Sequence, residues 1–299
     1  MSKKWDEQKE RSNSFALNLI CWVALHTSRS ISRIFLYPIT LYFLTTSPAA
    51  YRASKSFLQR VLNRNITFRD VARHFFWFAS TILDRVYFLT GQYEGFDITI
   101  HGRELIDDQV MKAEGCILLG SHIGSFEVLR TLAVNKLNMP LKIMMYRSHN
   151  QAITKIVDAL SPRLSGSVID LADPNALLKM SEFIESGDIV GILGDRVSEG
   201  DRTIACDMLG ETAEFNIGPM RLAAVLDVPV IFFVGLYRGG NKYEIYFEKL
   251  VRDFDTNRKN RDAQVEEYTK KYVKCLEKYV RYEPLNWFNY YDFWEDDQE

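Results

Sequence analysis

Apolar and polar residues alternate in blocks along most of the chain, and the lengths of these blocks are typical of an α/β protein. Residues 116–119 form an uninterrupted apolar run between glycines, which predicts a strand buried on both faces. Residues 126–137 follow with apolar positions at helical spacing, so a helix is expected there. The alternation continues further along the chain, with strands predicted at 141–146, 167–171 and 188–193 and helices at 103–112, 152–160 and 176–186.

Two further patterns predict the borders of this domain. Residues 96–102 alternate between apolar and polar and end in His-Gly, which is typical of an edge strand followed by a turn. Residues 230–237 and 243–247 flank a Gly-Gly pair and predict a hairpin, and a charged helix is expected from about 262 to 282. The sequence therefore predicts an α/β domain over residues 91–299, with a mixed sheet flanked by helices.

The first 90 residues differ from the rest because their apolar runs are longer and helical. Runs at 15–25 and 34–44 are each shorter than the roughly 20 residues that cross a bilayer, and Pro38 should kink the second run. Two arrangements are open: one imperfect membrane span, or amphipathic helices lying at the membrane interface, which we favour. The aromatic-rich helix predicted at 66–89 should pack onto the α/β domain.

Charge is distributed unevenly between these two parts. The 299-residue chain has a net charge of -2, but residues 1–90 carry 13 Lys/Arg and 5 Asp/Glu, or +8, so the remainder carries -10. A region that is both basic and apolar favours binding to an anionic membrane surface over binding to nucleic acid. The alternative is a basic helical region with one face in solvent. No export signal is evident in the sequence. The residues expected to face lipid phosphates are Arg29, Arg33, Arg52, Lys55 and Arg60.

Candidate chemistry is concentrated in the loop after the first of the predicted buried strands. Ser121 and His122 follow the carboxyl end of that strand, where α/β sheets most often bind ligands. If Glu127 lies in the first turn of the next helix, Gly120 and Gly124 let the loop bring its carboxylate to one imidazole nitrogen. The other nitrogen would then face the crevice as a general base for a substrate hydroxyl. The alternative is a surface histidine near a glutamate that interacts with the helix dipole.

Other common types of site are not indicated by the sequence. The motifs of nucleotide-binding, dinucleotide-binding and serine-hydrolase sites are missing. The five histidines form no metal-ligand pattern, so neither a metal nor a bound cofactor is expected. The cysteines are too dispersed for a zinc or redox pair and are interpreted as reduced thiols, at Cys21, Cys116, Cys206 and Cys275.

The order of the motifs resembles that of a known family. His122 and Glu127, spaced His-x4-Glu after a buried strand and Gly-Ser, are similar to the signature of the lysophospholipid acyltransferase superfamily. Within it, the chain resembles in particular the branch of late lipid A (lauroyl/myristoyl) acyltransferases, in which Glu replaces the commoner Asp. The resemblance covers roughly residues 15–294, and its later blocks are 142–150, Gly194-Asp195-Arg196, 209–223, 228–231 and the aromatic ending at 283–294.

This resemblance implies a glycerolipid acyltransferase-like fold and transfer of a fatty acyl group from a thioester to a lipid hydroxyl or amine. Acyl carrier protein is the implied donor, coenzyme A is the other candidate, and the cytoplasmic face of the inner membrane is the implied location. His122 is expected as the general base, and Glu127 as the residue that orients it. The residues expected to contact substrate are Ser121, Arg147, Asp195, Arg196 and Arg221, although each arginine is also consistent with a structural ion pair. The aromatic ending should pack as a plug near the site.

The chain departs from this branch in one block. The branch usually has a pair of acids with a glycine close behind, whereas this chain has Asp195-Arg196-Val197-Ser198. Because the block follows a strand at the mouth of the crevice, the change predicts an acceptor other than the lipid A precursor, held partly through Arg196. Two alternatives remain open: the lipid A precursor itself as acceptor, and a non-catalytic membrane lipid-binding protein.

Overall fold

Parallel strands form the centre of the protein, and helices cover them. The structure, a computed structural model, describes residues 21–135, 139–145, 160, 166–198, 200–255 and 259–294. Arg147 lies outside the described residues, as does the helix predicted at 152–160 except for its last residue. Most of the apolar run at 15–25 is also outside them.

The strands of the main sheet agree closely with the sequence prediction. They are β1 (Asp97–His101), β2 (Cys116–Gly120), β3 (Leu141–Met145), β4 (Val168–Asp170), β5 (Ile189–Leu193), β8 (Val230–Tyr237) and β9 (Lys242–Val251), with β6 (Thr203–Met208) and β7 (Glu211–Asn216) forming a separate antiparallel pair. Within the described residues the main sheet has the order β1-β9-β8-β2-β5-β3-β4. Every neighbouring pair in it is parallel except β8 and β9, which form the predicted hairpin. The mixed sheet and the edge position of β1 are thus confirmed.

The helices follow the predicted alternation. They are α1 (Arg29–Ile34), α2 (Leu36–Thr46), α3 (Pro48–Leu62), α4 (Phe68–Leu89), α5 (Arg103–Lys112), α6 (Phe126–Asn135), α7 (Ala176–Glu185), α8 (Gly218–Leu226) and α9 (Arg261–Tyr282), followed by a 3-10 turn at Pro284–Asn286. The start of α4 is fixed by a reciprocal capping box between Thr67 and Asp70. As predicted, α4 packs onto the α/β domain, with Phe88 in the same core as Tyr243 of β9.

The central strand β2 has a hydrophobic core on each side. Ile117 and Leu119 belong to the core that contains residues of α7, α8 and α9. Cys116 and Leu118 belong to the other core, which contains residues of α5 and α6. Because successive side chains of a strand point to opposite faces, a strand covered on both sides needs an apolar residue at every position. The unbroken apolar run is explained by this double burial.

The N-terminal helices break just before Pro38. The helix α1 ends at Ile34, and α2 begins at Leu36, so that Pro38 lies in the first turn of α2. A proline ring collides with the carbonyl four residues earlier, which here belongs to Ile34, and the first turn of a helix does not need the amide hydrogen that proline lacks. The expected kink is therefore a helix boundary.

Three of the five basic residues expected to face lipid phosphates turn towards the protein instead. Arg29 forms an ion pair with buried Asp84 (2.6 Å), Arg60 pairs with Glu211 (2.8 Å), and Arg33 donates to a tyrosine hydroxyl of β8 (2.7 Å). A carboxylate as deeply buried as Asp84 requires a cationic or hydrogen-bonding partner, and Arg29 supplies it. The two basic residues that stay exposed are Arg52 and Lys55.

The hairpin of β6 and β7 was not predicted. The sequence analysis predicts no strand within residues 209–223, but β7 occupies Glu211–Asn216 and α8 begins at Gly218. The turn is made by Leu209 and Gly210, both with positive φ (60° and 88°), which suits a two-residue hairpin loop. A leucine in that conformation gives no turn signal in the sequence, so the hairpin was missed.

Among the described residues, no helix combines the length and apolar character that crossing a membrane requires. The helices α1 and α2 do expose large apolar side chains to the surroundings. Ile34, Tyr37, Leu41 and Tyr42 are 56–66% exposed, and they recur at helical spacing along this part of the chain.

Candidate active site

The candidate site lies at the carboxyl ends of β2 and β5. These strands are parallel neighbours, and Gly120 at the end of β2 is in register with Leu193 at the end of β5. The loop after β2 turns at Gly124, which has φ +63°, and a Cβ there would collide with the carbonyl oxygen of Gly235 in β8. The amide of Ser125 donates to the same carbonyl (2.8 Å). Close approach to β8 therefore fixes the shape of the loop.

His122 and Asp195 meet across this edge of the sheet. The imidazole Nδ1 of His122 is 2.8 Å from Oδ1 of Asp195, and the backbone N–H of His122 donates to Oδ2 (2.9 Å). Trp287 donates its indole N–H to the same Oδ2 (3.0 Å). Because the carboxylate accepts a hydrogen bond from Nδ1–H, the lone pair of the neutral imidazole is on Nε2. Among the described residues nothing hydrogen-bonds to Nε2, and the side chain of His122 is 28% exposed.

Burial and charge set the protonation states of this pair. Burial by itself raises the pKa of Asp195, but the charge and hydrogen bond of His122 and the charge of Arg196 outweigh it and lower the pKa to about 2. Burial and the charge of Arg196 lower the pKa of His122, while Asp195 acts in the opposite direction. At neutral pH the pair is therefore a carboxylate and a neutral imidazole, which is the state that a general base needs.

The hydrogen bond expected between Glu127 and the imidazole is not formed. Glu127 is buried in the first turn of α6, where its Oε1 is 3.6 Å from Nη1 of Arg130. Its Oε2 has no hydrogen-bond partner within the described part of the chain. The carboxylate at Nδ1 is instead that of Asp195, because adjacent parallel strands place the two loops side by side. The contact at Nδ1 that the sequence predicted for Glu127 is thus made by Asp195.

The other residues expected in the site are only partly brought together. Ser121 is buried next to His122, and its hydroxyl has no hydrogen-bond partner among the described residues. Arg196 is close enough for its charge to lower the pKa values of both Asp195 and His122. Arg221 lies in the first turn of α8, and no hydrogen bond or ion pair of the described residues links it to His122. Arg147 falls outside the described residues.

One cation near His122 was missed by the sequence interpretation. Arg85 of α4 contributes to lowering the pKa of His122, so its guanidinium lies within electrostatic reach of the imidazole. The Nε of Arg85 is buried without a hydrogen-bond partner among the described residues. The sequence offered little signal for this residue. In an aromatic-rich helix, the residue pattern does not distinguish an arginine that points towards a site from one that points into solvent.

The aromatic ending packs beside the site, as predicted, and it also forms hydrogen bonds with the loop that carries His122. Trp287 is fully buried, and Ile123 forms an antiparallel bridge with it. Phe288 donates its amide to the carbonyl of His122 (3.0 Å), and Gly124 donates to the carbonyl of Asn286 (2.8 Å). The segment therefore holds His122 by its backbone as well as through Asp195.

Comparison with known proteins agrees with this geometry. The sequence model of the bacterial lipid A biosynthesis acyltransferases matches residues 57–294, which is well over half of the chain and includes both strands and loops of the site. The chain belongs to this family. It is therefore an acyltransferase that acts on lipid, and the non-catalytic alternative is set aside. A search of curated proteins gives no match.

The described residues contain no cluster of three or more histidine, cysteine, aspartate or glutamate side chains placed to hold a metal ion. At the carboxyl ends of β2 and β5 the structure places a buried carboxylate, an imidazole, a hydroxyl and two nearby cations. Among the described residues, neither Nε2 of the imidazole nor the hydroxyl has a hydrogen-bond partner.

Proposed function

We propose that this acyltransferase moves a fatty acyl group from a thioester, carried by acyl carrier protein, to a hydroxyl or amine of a lipid acceptor. The observation that supports it is the state of His122: Nδ1 is held by buried Asp195, while Nε2 has no hydrogen-bond partner among the described residues and lies on a partly exposed side chain. An imidazole in this state can take a proton from an acceptor and return it to a leaving group.

In the proposed reaction, Nε2 of His122 removes the proton from the acceptor hydroxyl as its oxygen attacks the thioester carbonyl. The tetrahedral intermediate then collapses, the carbon–sulfur bond breaks, and the thiolate takes the proton back from His122. Asp195 remains ionised throughout and stabilises the imidazolium that forms between the two steps. The net result is an ester and a free thiol, with no change in the protonation of the enzyme.

The oxyanion of the tetrahedral intermediate needs hydrogen-bond donors or positive charge nearby, and several groups near His122 are suited to this role. The Ser121 hydroxyl is buried without a hydrogen-bond partner in the described chain, so a ligand oxygen can satisfy it. Arg196 and Arg85 bring positive charge to the same place. Arg221 and Arg147 are retained as further candidates for substrate contact.

Glu127 is retained as a second acid at the site. Its buried carboxylate has one oxygen without a hydrogen-bond partner among the described residues, and it lies five residues after His122. We assign it a supporting role in the first turn of α6, where it helps to set the position of the loop that carries His122. The orienting role at Nδ1 is assigned to Asp195.

The acceptor is proposed to be a lipid other than the lipid A precursor. The reason is the departure at Asp195-Arg196-Val197-Ser198, where an arginine stands beside the retained acid. A specialised glycolipid, amino-acid lipid or polyketide-type lipid, held partly through Arg196, suits this change. The alternative acceptor is the lipid A precursor, which the family as a whole favours.

Residues 1–90 are proposed to attach the enzyme to the cytoplasmic face of the inner membrane, with residues 91–299 forming the catalytic domain. The exposed apolar side chains of α1 and α2 suit the interface between headgroups and acyl chains, and Tyr37 and Tyr42 have the amphipathic rings found there.

The test of the catalytic proposal is release of free thiol from acyl-acyl carrier protein in the presence of a membrane lipid extract. We expect the wild-type enzyme to release thiol and to form an acylated lipid. Purified His122→Ala should retain its fold but lose both products, because general-base assistance contributes about a hundredfold or more. Coenzyme A thioesters provide the comparison for the donor. Equal rates in wild type and His122→Ala would refute the mechanism.

A further inference from the structure

A second histidine, remote from the sequence motif, is connected to the site through hydrogen bonds. His74 is fully buried in α4, with Nδ1 at 2.8 Å from the hydroxyl of Ser54 in α3 and Nε2 at 3.0 Å from the backbone carbonyl of Trp287. Ser54 is also fully buried. The mechanism proposed above uses neither residue, so their buried polar groups need another explanation.

The direction of these hydrogen bonds follows from chemistry. Burial lowers the pKa of His74 to about 4, so its imidazole is neutral at physiological pH and carries one proton. The carbonyl of Trp287 can only accept, which places that proton on Nε2. Nδ1 must then accept, and the Ser54 hydroxyl donates to it. A single tautomer satisfies both bonds.

Trp287 connects this pair to the catalytic residues. Its carbonyl accepts from His74, and its indole N–H donates to Asp195, which in turn holds Nδ1 of His122. The indole ring is fully buried and is packed edge-on against Phe57 of α3, with ring centroids 5.1 Å apart. Backbone and ring of Trp287 are therefore both fixed by the N-terminal helices.

We propose that His74 and Ser54 are positioning residues for acyl transfer, which fix Trp287 so that its indole N–H holds the Asp195 carboxylate against His122. The helices α3 and α4 then serve the catalytic site as well as the membrane attachment proposed for this region. The catalytic consequence rests on the proposed function, whereas the effect on His122 itself does not.

The charged groups that act on His122 determine the direction of the expected change. Arg196 and Arg85 lower its pKa, and Asp195 raises it. If the contact with Asp195 loosens while the two arginines stay in place, the pKa of His122 must fall. A substitution at His74 should therefore lower the pKa of His122, although the two side chains are connected only through Trp287 and Asp195.

The direct test is titration of His122 by NMR in protein labelled with ¹⁵N-histidine, which does not depend on turnover. The chain has only five histidines, and the His122→Gln variant identifies the resonance in question. We expect His74→Leu to lower the pKa of His122. His74→Gln should restore it in part, because its amide can donate to the same carbonyl.

Two serine variants test the same proposal in case His74→Leu does not fold. Ser54→Ala removes the donor to His74 and should lower the pKa of His122 by a smaller amount. Ser80→Ala is its matched control, since Ser80 is equally buried, lies in α4 and donates to a carbonyl within that helix. An unchanged His122 titration in both Ser54→Ala and folded His74→Leu overturns the proposal, as does an equal shift in Ser80→Ala.

Kinetics provide the second readout. Misplacement of a catalytic group by a remote substitution is expected to lower kcat by about tenfold to a hundredfold, with little change in the KM for the thioester. Trp287→Phe should have a similar effect, and the double variant with His74→Leu should be no worse than Trp287→Phe alone, because both act through Asp195. If the loss of kcat in the double variant equals the product of the losses in the two single variants, the proposal is overturned. A wild-type enzyme without transferase activity refutes the proposed function instead, and leaves the titration result standing.

Discussion

His122 has a carboxylate partner that the spacing of its own motif did not identify. The loops after β2 and β5 each contribute one residue of the pair, and Asp195 accepts three hydrogen bonds although it is buried. Glu127, the acid of the local motif, faces Arg130 instead. The two carboxylates therefore make different contacts, and substitutions can test whether their roles differ.

We predict that Asp195→Asn and Glu127→Gln change the pH dependence of kcat/KM differently. In the proposed mechanism activity requires neutral His122, so it should rise with pH through the pKa of that residue, which burial already lowers from its ordinary value. Loss of the Asp195 charge removes a contribution that raises this pKa. In Asp195→Asn the acid limb should therefore move to lower pH, and the plateau rate should fall by about a hundredfold or more.

In Glu127→Gln we expect a smaller loss of rate and an acid limb at its wild-type pH, because Glu127 makes no hydrogen bond to the imidazole in the described structure. Both profiles can be measured with the thiol-release assay. A shift of the acid limb in Glu127→Gln, with none in Asp195→Asn, would mean that Glu127 takes over the orienting role in the reacting complex.

The loop between β2 and α6 depends on its contact with β8. We predict that Gly124→Ala destabilises the protein by about 1–3 kcal/mol, because alanine is strained at φ +63° and its Cβ would collide with the carbonyl of Gly235. Specific activity should also fall, since the loop carries His122. Thermal unfolding and the transfer assay measure the two effects.

Gly91→Ala is the control for Gly124→Ala. Gly91 also has positive φ (75°), but a Cβ there would meet no atom within 4 Å. It should show the cost of backbone strain without a change in the activity of the folded enzyme. Equal stability and activity in the two variants would show that contact between the loop and β8 is unimportant.

The helices α1 and α2 are expected to bind the membrane through their exposed apolar residues. We predict that the double variant Tyr37→Ser/Leu41→Ser binds vesicles containing anionic lipid about tenfold or more weakly, since each large apolar side chain contributes about 1.5–3 kcal/mol when fully buried. Vesicle flotation measures the bound fraction. Leu177→Ser/Leu178→Ser on α7 is the control, with side chains that are 58% and 60% exposed. Equal losses in the two double variants would contradict attachment through α2.

At the scale of the whole molecule, family membership establishes lipid acylation, while the identity of the acceptor depends on a few residues at the crevice. We predict that a strain lacking this protein keeps fully acylated lipid A and loses a different acylated lipid. Mass spectrometry of total lipids from the two strains measures both. The wild-type gene should restore the missing lipid, and a gene with His122→Ala should not.

The opposite outcome has a definite meaning as well. Underacylated lipid A in the deletion strain, together with efficient acylation of a purified lipid A precursor, would establish the alternative acceptor. Arg196 would then be interpreted as a structural partner of Asp195 and not as an acceptor contact.

The sequence by itself determined most of the described elements and the position of the candidate site after a buried strand. The sequence predicted four features: the doubly buried strand β2, the hairpin of β8 and β9, the helix α9, and the position of Ser121 and His122 after a strand. Each of them depends on a periodic pattern or on turn residues within a few positions. The hairpin at Leu209 and Gly210 was not predicted, because Leu209 adopts a positive φ that a leucine side chain disfavours.

Only the tertiary structure decided which side chains act on His122. Asp195 is 73 positions further along the chain, and it reaches Nδ1 because β5 is the parallel neighbour of β2. His74 and Trp287 join the same network through packing of α4 against the C-terminal segment. Local patterns report which faces are buried, but the order of strands and the docking of helices are set by the combined packing of the whole chain. For that reason the sequence identified the imidazole, and the fold supplied its partner.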